Sequence, residues 1–369
     1  MISRSRKPPK KLTIAMAWWW SWGHVFPIKS LIEWIQKKPQ YVDSIQSIYR
    51  FGSKDSLENS VCSSFSEGLP PIEFIPIISG KLRRETIRQS RLKNIRDIFL
   101  FIWGFFQSLV LLLRYRIDVV FCKWGYVALP IALAAGLLHK KIILHESDTH
   151  AGLVNKIVSR FASKVFTWFD DVLPRSKTVG QILSDEILVE DMPSREHDKP
   201  KILVVGWSQG SRNLYQSLIK IFQTNPEILS SFDFYFVLGL LNQEISTELD
   251  KFPSVRSYSF LSQKEMGELF AICDIAITRG GTTSLAEQNL YDLKQIIVPI
   301  PRTHDQYDNA RRYVQHKKDI MIDQKDVGFH IKLVKALLKL RTFKKKERDI
   351  DRQAVVSKAK EIIIKSILN

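Results

Sequence analysis

Cysteine is scarce in this sequence, and the few cysteines form no recognisable site. The chain has 369 residues and three cysteines, Cys62, Cys122 and Cys273, which lie far apart. Three such residues supply neither the even set of a disulfide framework nor the close pairs of a zinc site. The pattern therefore favours a reducing compartment.

Glycine is also under-represented, with 16 residues in the chain, or about 4% against a usual share of about 7%. Tryptophan, in contrast, reaches 9 residues. Hydrophobic residues make up 45% of the chain and charged residues 25%. This profile is typical of a soluble globular protein and excludes a disordered or collagen-like chain.

The sequence has no hydrophobic run that predicts a membrane span. The longest apolar stretch, residues 98–113, is interrupted by Gln107 and Ser108 and is shorter than the roughly 18 to 20 residues of a spanning helix. A basic N-terminal segment precedes the apolar run 12–20, as in a signal peptide, but no small-residue cleavage site follows. We therefore expect a basic tail and a buried first strand.

Acidic residues are outnumbered by basic ones. The chain has 55 lysines and arginines against 38 aspartates and glutamates, a formal net charge of +17. Such a positive field favours an anionic partner, whether nucleic acid, an anionic membrane leaflet or a phosphate-bearing substrate. The chain lacks a basic motif interleaved with aromatic residues, so we expect no nucleic-acid partner.

Strand-like apolar runs alternate with helix-length segments in both halves of the chain, which predicts βαβ units and parallel sheets. The predicted strands are residues 12–17, 72–78, 118–122, 141–145, 201–205, 232–238, 275–278 and 295–299. The length suits two domains, and the polar stretch 184–199 is typical of a linker. We therefore expect an α/β protein with two doubly wound, Rossmann-like domains, residues 1–180 and 201–345. A linker at 181–200 joins them, and a C-terminal helix within 346–369 packs back on the first domain.

Two turns in the second half have the composition of a phosphate site. A predicted strand is followed by Gly206-Trp207-Ser208-Gln209-Gly210, and residues 279–287 later place two glycines and three hydroxyl side chains at a helix start. Backbone N–H groups at such turns bind phosphates, and the carboxylate of Glu287 suits ribose hydroxyls. Each turn alone is equally consistent with an ordinary helix cap, whereas the two together favour a nucleotide site.

Other polar stretches have a structural interpretation that competes with a functional one. The loop 299–309 offers Asp305, Gln306 and Asn309 to the hydroxyls of a sugar, but it also resembles a normal loop and N-cap. His24 and the stretch 145–148 are equally consistent with structural turns. The sequence contains no metal-ligand cluster and no Ser/His/Asp triad, so we expect neither a metal nor a cofactor.

In combination, these stretches resemble the MurG family, the N-acetylglucosaminyltransferases of peptidoglycan synthesis. The resemblance runs from about residue 12 to about residue 322. It is carried by residues 23–27 (GHVFP), 72–80, 118–130 (with WGYV), 145–156 (with HES, AGL and NK), 204–211, 279–287 and 305–309. It implies the GT-B fold, in which an acceptor domain and a donor domain face one cleft.

The resemblance also implies which residues bind the two substrates. The donor-binding positions are Ser208, Gln209, Gly210, Thr282, Thr283 and Ser284 for the diphosphate, Phe260 and Leu261 for uracil, Glu287 for ribose, and Gln306 and Asn309 for N-acetylglucosamine. The acceptor-side positions are Ser21, Gly23, His24, Tyr126 and Asp148.

Three positions depart from the family pattern. The asparagine of the family's HEQN stretch is Asp148, the glutamine before Gln306 is Asp305, and the arginine of the GNPVR stretch falls at Ser184. Two of these three, at 148 and 184, fall outside the donor loops, and the acceptor side is therefore less well defined by the resemblance.

The implied reaction is the inverting transfer of N-acetylglucosamine from UDP-N-acetylglucosamine to the muramyl C4 hydroxyl of lipid I. His24 is the candidate general base, because the pKa of histidine suits proton transfer near neutral pH. Backbone amides and helix dipoles would stabilise the departing UDP without a metal ion. A related GT-B enzyme with another lipid acceptor, such as diacylglycerol, and a catalytically impaired relative that only binds are the alternatives.

Lipid I lies in the cytoplasmic leaflet, so the resemblance implies a peripheral protein on the cytoplasmic face of the membrane. The predicted helix 94–116 carries many apolar residues between basic ones, which suits a contact with anionic lipid. The apolar residues of this helix are Ile98, Phe99, Phe101, Ile102, Phe105, Phe106, Leu109 and Leu113. A core helix would have a similar composition, and some of these residues must belong to the core.

Five of the nine tryptophans occupy positions where the resembled motifs have glycine. These are Trp19, Trp20, Trp22, Trp124 and Trp207. Glycine in tight turns permits positive φ or a close approach of backbone, which an indole obstructs. We put forward the hypothesis that UGA codons meaning glycine in the source have been translated as tryptophan, and the alternative is a real divergence of these loops.

Overall fold

The computed structural model describes residues 10–18, 22–53, 68–80, 88–123, 125–190, 198–206, 211–301, 303–316, 319–346 and 348–369. The chain separates into two compact units. The first unit comprises residues 1–147, 151–182 and 358–369, and the second comprises residues 148–150 and 183–357.

The first unit contains a seven-stranded sheet in which every neighbouring pair of strands is parallel. Its strands are β1 (Leu12–Trp18), β2 (Ile45–Gly52), β3 (Ile72–Pro76), β4 (Val119–Lys123), β5 (Lys141–Glu146), β6 (Lys164–Thr167) and β7 (Ser176–Thr178). Its helices are α1 (Trp22–Gln36), α2 (Pro39–Val42), α3 (Arg88–Arg114), α4 (Ala128–Leu137) and α5 (Leu153–Val158). The strand order is β3-β2-β1-β4-β5-β6-β7.

Both faces of this sheet are buried, which explains the continuous apolar strands. Along β1, Ile14 and Met16 pack in a cluster with the apolar residues of α1, whereas Ala15 and Ala17 pack on the other face with α4. Side chains alternate across a strand, so a strand covered on both sides needs apolar residues at every position. This pattern made β1 recognisable in the sequence.

The second unit contains a six-stranded parallel sheet in the order β10-β9-β8-β11-β12-β13. Its strands are β8 (Lys201–Val205), β9 (Asp233–Val237), β10 (Val255–Tyr258), β11 (Ile275–Thr278), β12 (Lys294–Ile297) and β13 (Ile320–Met321). Its helices are α6 (Arg212–Thr224), α7 (Pro226–Ser231), α8 (Ser246–Leu249), α9 (Gln263–Ile272), α10 (Thr282–Leu290), α11 (His304–His316) and α12 (Phe329–Lys339), with short 3₁₀ helices at Asp185–Ile187 and Gln243–Ile245.

This sheet is also covered on both faces. Ile202 and Val204 of β8 pack in the cluster that includes α6 and α12, and Leu203 and Val205 pack on the opposite face with α9. Parallel strands joined by helices on both faces define a doubly wound sheet. The predicted α/β class with two Rossmann-like domains is confirmed.

The last helix, α13 (Arg352–Leu368), begins in the second unit and ends in the first. Val356 is buried in the core of the second unit. Ile363 and Ile367 are buried in the core of the first unit, in the cluster that contains α1. The final turns of the chain are therefore part of the first unit's core.

The predicted lipid-contacting helix corresponds to α3. Among the described residues, its segment Ile95–Arg114 is the one helix long and apolar enough to cross a membrane, by length and composition alone. The expectation that this apolar stretch is too short for that is therefore wrong, because the apolar helix extends beyond residues 98–113. Phe105 and Leu109 pack against the core of the first unit, whereas Phe99 and Phe106 are exposed. The expectation that this helix contributes both core and surface residues is therefore met by different faces of α3.

Candidate active site

The donor residues predicted from the sequence follow neighbouring strands of the six-stranded sheet. β8, β11 and β12 are adjacent and parallel, so the turns that follow them emerge side by side at one edge of the sheet. Gly206 directly follows β8, and the predicted donor residues Ser208, Gln209 and Gly210 lie outside the described residues. The turns after β11 and β12 lead into α10 and α11.

Two glycines at this edge are required by close packing. A Cβ atom on Gly206 would overlap the hydroxyl of Ser211, and a Cβ atom on Gly280 would overlap the backbone carbonyl of Gln306. The second contact brings the start of α11 against the turn that precedes α10. Gln306 and the start of α10 therefore lie close together, as a shared site for a sugar and a phosphate requires.

Arg279 connects three segments at this edge of the sheet by hydrogen bonds. Its buried guanidinium donates to Ser211 Oγ over 2.7 Å, to the carbonyl of Val298 over 2.8 Å and to Gln324 Oε1 over 2.9 Å. Burial lowers the pKa of Arg279 to about 10, so the group remains a cation at neutral pH. The sequence placed Arg279 in the motif but assigned it no role, because its three partners are distant along the chain.

The start of α10 has the features of an anion site. Thr282 and Ser284 are buried and Thr283 is partly exposed, all within the first turn of a nine-residue helix that follows Gly281. The first amides of a helix have no partner within the helix and carry a partial positive charge. The three hydroxyl residues and these amides can together bind a phosphate group.

Glu287 lies deeper in the same helix and is only 2% exposed. Among the described residues, no group donates a hydrogen bond to its Oε2 atom. Burial raises the pKa of the Glu287 carboxyl to about 8. A buried carboxyl without a donor is costly, and a ligand with paired hydroxyl groups would satisfy it.

Phe260 and Leu261 follow β10, at the edge of the sheet. Phe260 exposes 57% of its surface, whereas Leu261 packs against the core. Directly after them, Ser262 and Glu265 form a capping box that fixes the start of α9. The exposed ring of Phe260 is thereby held at the carboxyl edge of the sheet, where the nucleobase of a nucleotide could pack against it.

Asn309 is buried in α11, and both ends of its carboxamide are engaged. Its Oδ1 atom accepts from the backbone N–H of Thr149 over 2.8 Å and from the Thr149 hydroxyl, and its Nδ2 atom donates to Asp148 Oδ1 over 2.9 Å. The turn 148–150 belongs to the second unit. The structure thus brings together Asp148, predicted on the acceptor side, and Asn309, predicted on the donor side.

The other predicted acceptor-side residues follow neighbouring strands of the first unit. β1, β4 and β5 are adjacent, and the segments after β1 and β4 contain Gly23, His24 and Tyr126. The backbone of Gly23 and His24 lies in the first turn of α1, and the carbonyl of Tyr126 accepts a hydrogen bond from Ser79. Ser21 lies outside the described residues. The described acceptor-side positions of this unit thus follow the carboxyl ends of adjacent strands.

Within the part of the chain that the structure describes, no group of three or more His, Cys, Asp or Glu side chains could hold a metal ion. The two described cysteines, Cys122 and Cys273, are buried, and burial raises the pKa of each thiol to about 12. Both remain thiols at neutral pH.

Comparison with known proteins assigns the chain to a family. Residues 14–167 match the Glycosyltransferase family 28 N-terminal domain, and residues 201–365 match the Glycosyltransferase family 28 C-terminal domain. The relatives include the UDP-N-acetylglucosamine--N-acetylmuramyl-(pentapeptide) pyrophosphoryl-undecaprenol N-acetylglucosamine transferase of Lachnospira eligens, 30% identical over 83% of this chain and 84% of that protein. The protein of the same name from Staphylococcus haemolyticus is 31% identical over 79% of this chain and 80% of that protein.

Solved structures show the same fold. The crystal structure of MurG from Acinetobacter baumannii matches with a TM-score of 0.70 and 19% identity, covering 96% of this chain and 99% of that one. A UDP-GlcNAc 2-epimerase from Neisseria meningitidis matches with a TM-score of 0.62 and 12% identity, covering 97% of this chain and all of that one. The predicted GT-B class is thereby confirmed. With both family 28 domains present and relatives matched over most of their length, the chain belongs to the MurG family of glycosyltransferases.

Proposed function

We propose that this chain transfers N-acetylglucosamine from UDP-N-acetylglucosamine to N-acetylmuramyl-(pentapeptide) pyrophosphoryl-undecaprenol, or lipid I, with inversion at the anomeric carbon. The observation that carries the proposal is the buried Glu287 carboxyl, whose Oε2 atom has no donor among the described residues and which lies one turn behind the phosphate-type start of α10. A nucleotide sugar offers both a diol and a diphosphate at that separation. The names of the relatives support this donor and this acceptor.

Donor binding follows from the chemistry of the second unit. The ribose diol of UDP would donate to Glu287, which would favour the carboxylate form of a group whose pKa is about 8 in the free protein. The diphosphate would accept from the first amides of α10 and from Thr282, Thr283 and Ser284. Residues 208–210 lie outside the described residues. They are predicted from the sequence to supply further amides to the same phosphates.

The chemical step needs a stabilised leaving group and a base. As the bond to the anomeric carbon breaks, negative charge develops on the UDP phosphate, where the dipole of α10 acts on it. Arg279 adds a fixed positive charge beneath the phosphate-binding turns through its bond to Ser211. The acceptor hydroxyl must lose a proton in the same step, and His24, at the start of α1, is the proposed base.

Contact with the membrane is proposed for the exposed face of α3. Large apolar side chains recur along it at intervals of three or four residues, which is one face of a helix. They are Ile95, Phe99, Trp103, Phe106, Val110 and Leu113, exposed by 53% to 68%. An exposed apolar stripe with Arg96 and Arg114 near its ends suits a peripheral contact with an anionic cytoplasmic leaflet.

The test is transfer of radiolabelled N-acetylglucosamine from the UDP-sugar to purified lipid I, measured by extraction of the labelled lipid. Diacylglycerol in the same detergent serves as the competing acceptor. Labelled lipid I product supports the proposal, and Glu287→Ala should abolish the product at low donor concentration. Labelling of diacylglycerol but not of lipid I would show that the proposed acceptor is wrong and that diacylglycerol takes its place. Donor binding without transfer to either lipid would indicate a protein that only binds.

A further inference from the structure

A buried lysine at the carboxyl edge of the seven-stranded sheet has no role in the function proposed above. Lys123 is the last residue of β4 and is only 1% exposed. Its ammonium nitrogen lies 2.6 Å from Ser147 Oγ and 3.1 Å from His145 Nδ1. His145 and Ser147 are themselves buried; His145 is the penultimate residue of β5, and Ser147 directly follows the strand. The cluster therefore connects the ends of two adjacent strands.

The chemistry of the ammonium fixes the direction of each hydrogen bond. Because an ammonium group can only donate, His145 Nδ1 accepts from Lys123, and His145 Nε2 donates to the carbonyl of Gly180 over 3.1 Å. Ser147 accepts from Lys123 and donates to Gln181 Oε1 over 3.0 Å. Burial, and secondly the charge of Lys123, hold the pKa of His145 well below its usual range, so the ring is neutral.

The cluster lies at the ends of the strands that lead into the segments predicted to contact the acceptor. Lys123 pairs in register with Trp18, the last residue of β1, and β1, β4 and β5 are neighbours in the sheet. The segments that follow these strands contain His24, Tyr126 and Asp148. Asp148 directly follows Ser147, the residue that Lys123 contacts.

The burial of a charge at this place needs an explanation. An ammonium loses its hydration when buried, and an apolar side chain of similar volume would fill the same space at lower cost. A methionine could not hold Ser147 and His145 by directed hydrogen bonds, however. The ammonium therefore holds Ser147 and His145 in one arrangement through two directed hydrogen bonds.

We infer that Lys123 is a positioning residue for the acceptor, which acts by holding the turn between Ser147 and Asp148. This inference rests on the proposed function, since it assumes that the turn contacts the lipid-linked acceptor. Lys123 itself does not touch substrate. Loss of its ammonium removes the hydrogen bond that Ser147 accepts and leaves the one that it donates to Gln181. The turn then samples positions that do not match the acceptor.

The test compares Lys123→Met and Ser147→Ala with Lys141→Met, a lysine at the opposite, amino end of the neighbouring strand β5. Steady-state kinetics are measured with lipid I and UDP-N-acetylglucosamine varied in turn. Lys123→Met and Ser147→Ala should each lower kcat/KM for lipid I by about tenfold or more, while KM for the donor and all constants of Lys141→Met stay unchanged. The loss in the double variant should be smaller than the product of the two single losses, because the Lys123–Ser147 bond is common to both changes.

A second measurement keeps the inference independent of turnover. Hydrogen–deuterium exchange of peptides covering 145–150 should become faster in Lys123→Met and Ser147→Ala, but not in Lys141→Met. Wild-type protein that fails to glycosylate lipid I contradicts the proposed function, and exchange still decides whether Lys123 holds the turn. Unchanged exchange at 145–150, or unchanged kcat/KM for lipid I beside an active wild type, overturns the role of Lys123. An equal loss for donor and acceptor would also overturn it, since that result indicates general misfolding.

Discussion

Asn309 and Asp148 are joined by a hydrogen bond of 2.9 Å from the Asn309 amide to the Asp148 carboxylate. The other end of the Asn309 carboxamide accepts from Thr149, so its orientation is fixed by both neighbours. The resembled family has asparagine where this chain has Asp148. Either side chain presents an oxygen that accepts from Asn309, so the departure leaves the contact intact.

This contact predicts that a second carboxylate at position 309 weakens donor binding and that removal of the carboxylate at position 148 restores it. Asn309→Asp places a second carboxylate against Asp148, and two like charges about 4 Å apart repel by roughly 4 kcal/mol near a protein surface. We expect KM for UDP-N-acetylglucosamine to rise by about tenfold or more, given that a tenfold change needs only about 1.4 kcal/mol. Combining Asn309→Asp with Asp148→Asn should restore most of the affinity, and Asp148→Asn alone should be nearly neutral. A double variant as poor as Asn309→Asp would contradict the pairing.

Glu287 is predicted to govern donor affinity. Glu287→Gln keeps the shape of the side chain but replaces a charged acceptor of two ribose hydroxyls by a neutral amide. Hydrogen bonds to charged groups contribute about 1.5 to 3 kcal/mol, so KM for the donor should rise by about 10- to 100-fold. Titration calorimetry with UDP checks the same change without the acceptor. An unchanged dissociation constant for UDP would remove Glu287 from the site.

Glu287→Gln is predicted to weaken donor binding but to stabilise the folded protein in the absence of donor at high pH. The pKa of Glu287 is about 8 in the folded state against 4.5 for the unperturbed group, so the folded state binds the extra proton between these values. Stability from this group is therefore present below about pH 4.5 and is lost as the pH rises towards 8. Glu287→Gln should be more stable than the wild type at pH 8, with the difference shrinking towards pH 5. Thermal unfolding across this pH range, without UDP, measures it. A constant difference would show that Glu287 does not titrate there.

The exposed stripe of α3 is predicted to control membrane binding. The double variant Phe99→Ser and Trp103→Ser removes two side chains that are 68% and 65% exposed. Each large apolar side chain contributes about 1.5 to 3 kcal/mol when it is fully buried, so binding to anionic liposomes should fall by at least about tenfold. Because these side chains contribute little to the core, the thermal midpoint should be unchanged.

Two comparisons sharpen the experiment on α3. Val327→Ser alters an apolar side chain that is fully exposed in the second unit, and liposome binding should not change. Phe105→Ser alters a residue of the same helix that packs on the core, and the folded protein itself should be destabilised. Liposome binding that survives loss of both Phe99 and Trp103 would rule out the stripe as the contact surface.

The sequence predicted strands where burial on both faces makes all residues but one apolar. β1, β4, β8 and β11 are of this kind. β2 was not predicted, because Gln46 and Arg50 interrupt its apolar positions. The short edge strands β7, β10 and β13 were not predicted either, since each has neighbours on one side only and carries little apolar signal.

The candidate site was predictable where function depends on local sequence. Glu287 and the turn before α10 lie within one short stretch, so the motif located them together. Lys123 was not predictable, because its burial depends on β1 and β5, which are far from it in the chain. The outward face of α3 was not predictable for the same reason. The spacing of apolar residues predicts the helix. Contacts with segments distant in the chain determine that Phe105 faces the core and that Phe106 faces solvent.

Two of the five tryptophans at motif glycines, Trp124 and Trp207, adjoin glycines where a side chain is unfavourable. Trp124 is followed by Gly125, which has a φ of 116°, a conformation that residues with side chains rarely adopt. Trp207 is followed by the predicted diphosphate loop and preceded by Gly206, which is packed against Ser211. The 16 glycines and 9 tryptophans together reach about 7% of the chain, the usual share of glycine alone.

We therefore predict that Trp207→Gly, alone and with Trp124→Gly, binds the donor more tightly than the sequence as written. Glycine at 207 would allow the amides of the predicted diphosphate loop to approach a phosphate closely, so the change should lower KM for UDP-N-acetylglucosamine. Removing the other tryptophans at motif glycines, at 19, 20 and 22, should in turn improve use of lipid I. Trp34→Phe, at a tryptophan buried in the core of the first unit, serves as the control and should leave both constants unchanged. The codons decide the origin of these residues. UGA at all five positions, with glycine in the peptides of the native protein, would establish recoding, whereas UGG at those positions would show that the loops have truly diverged.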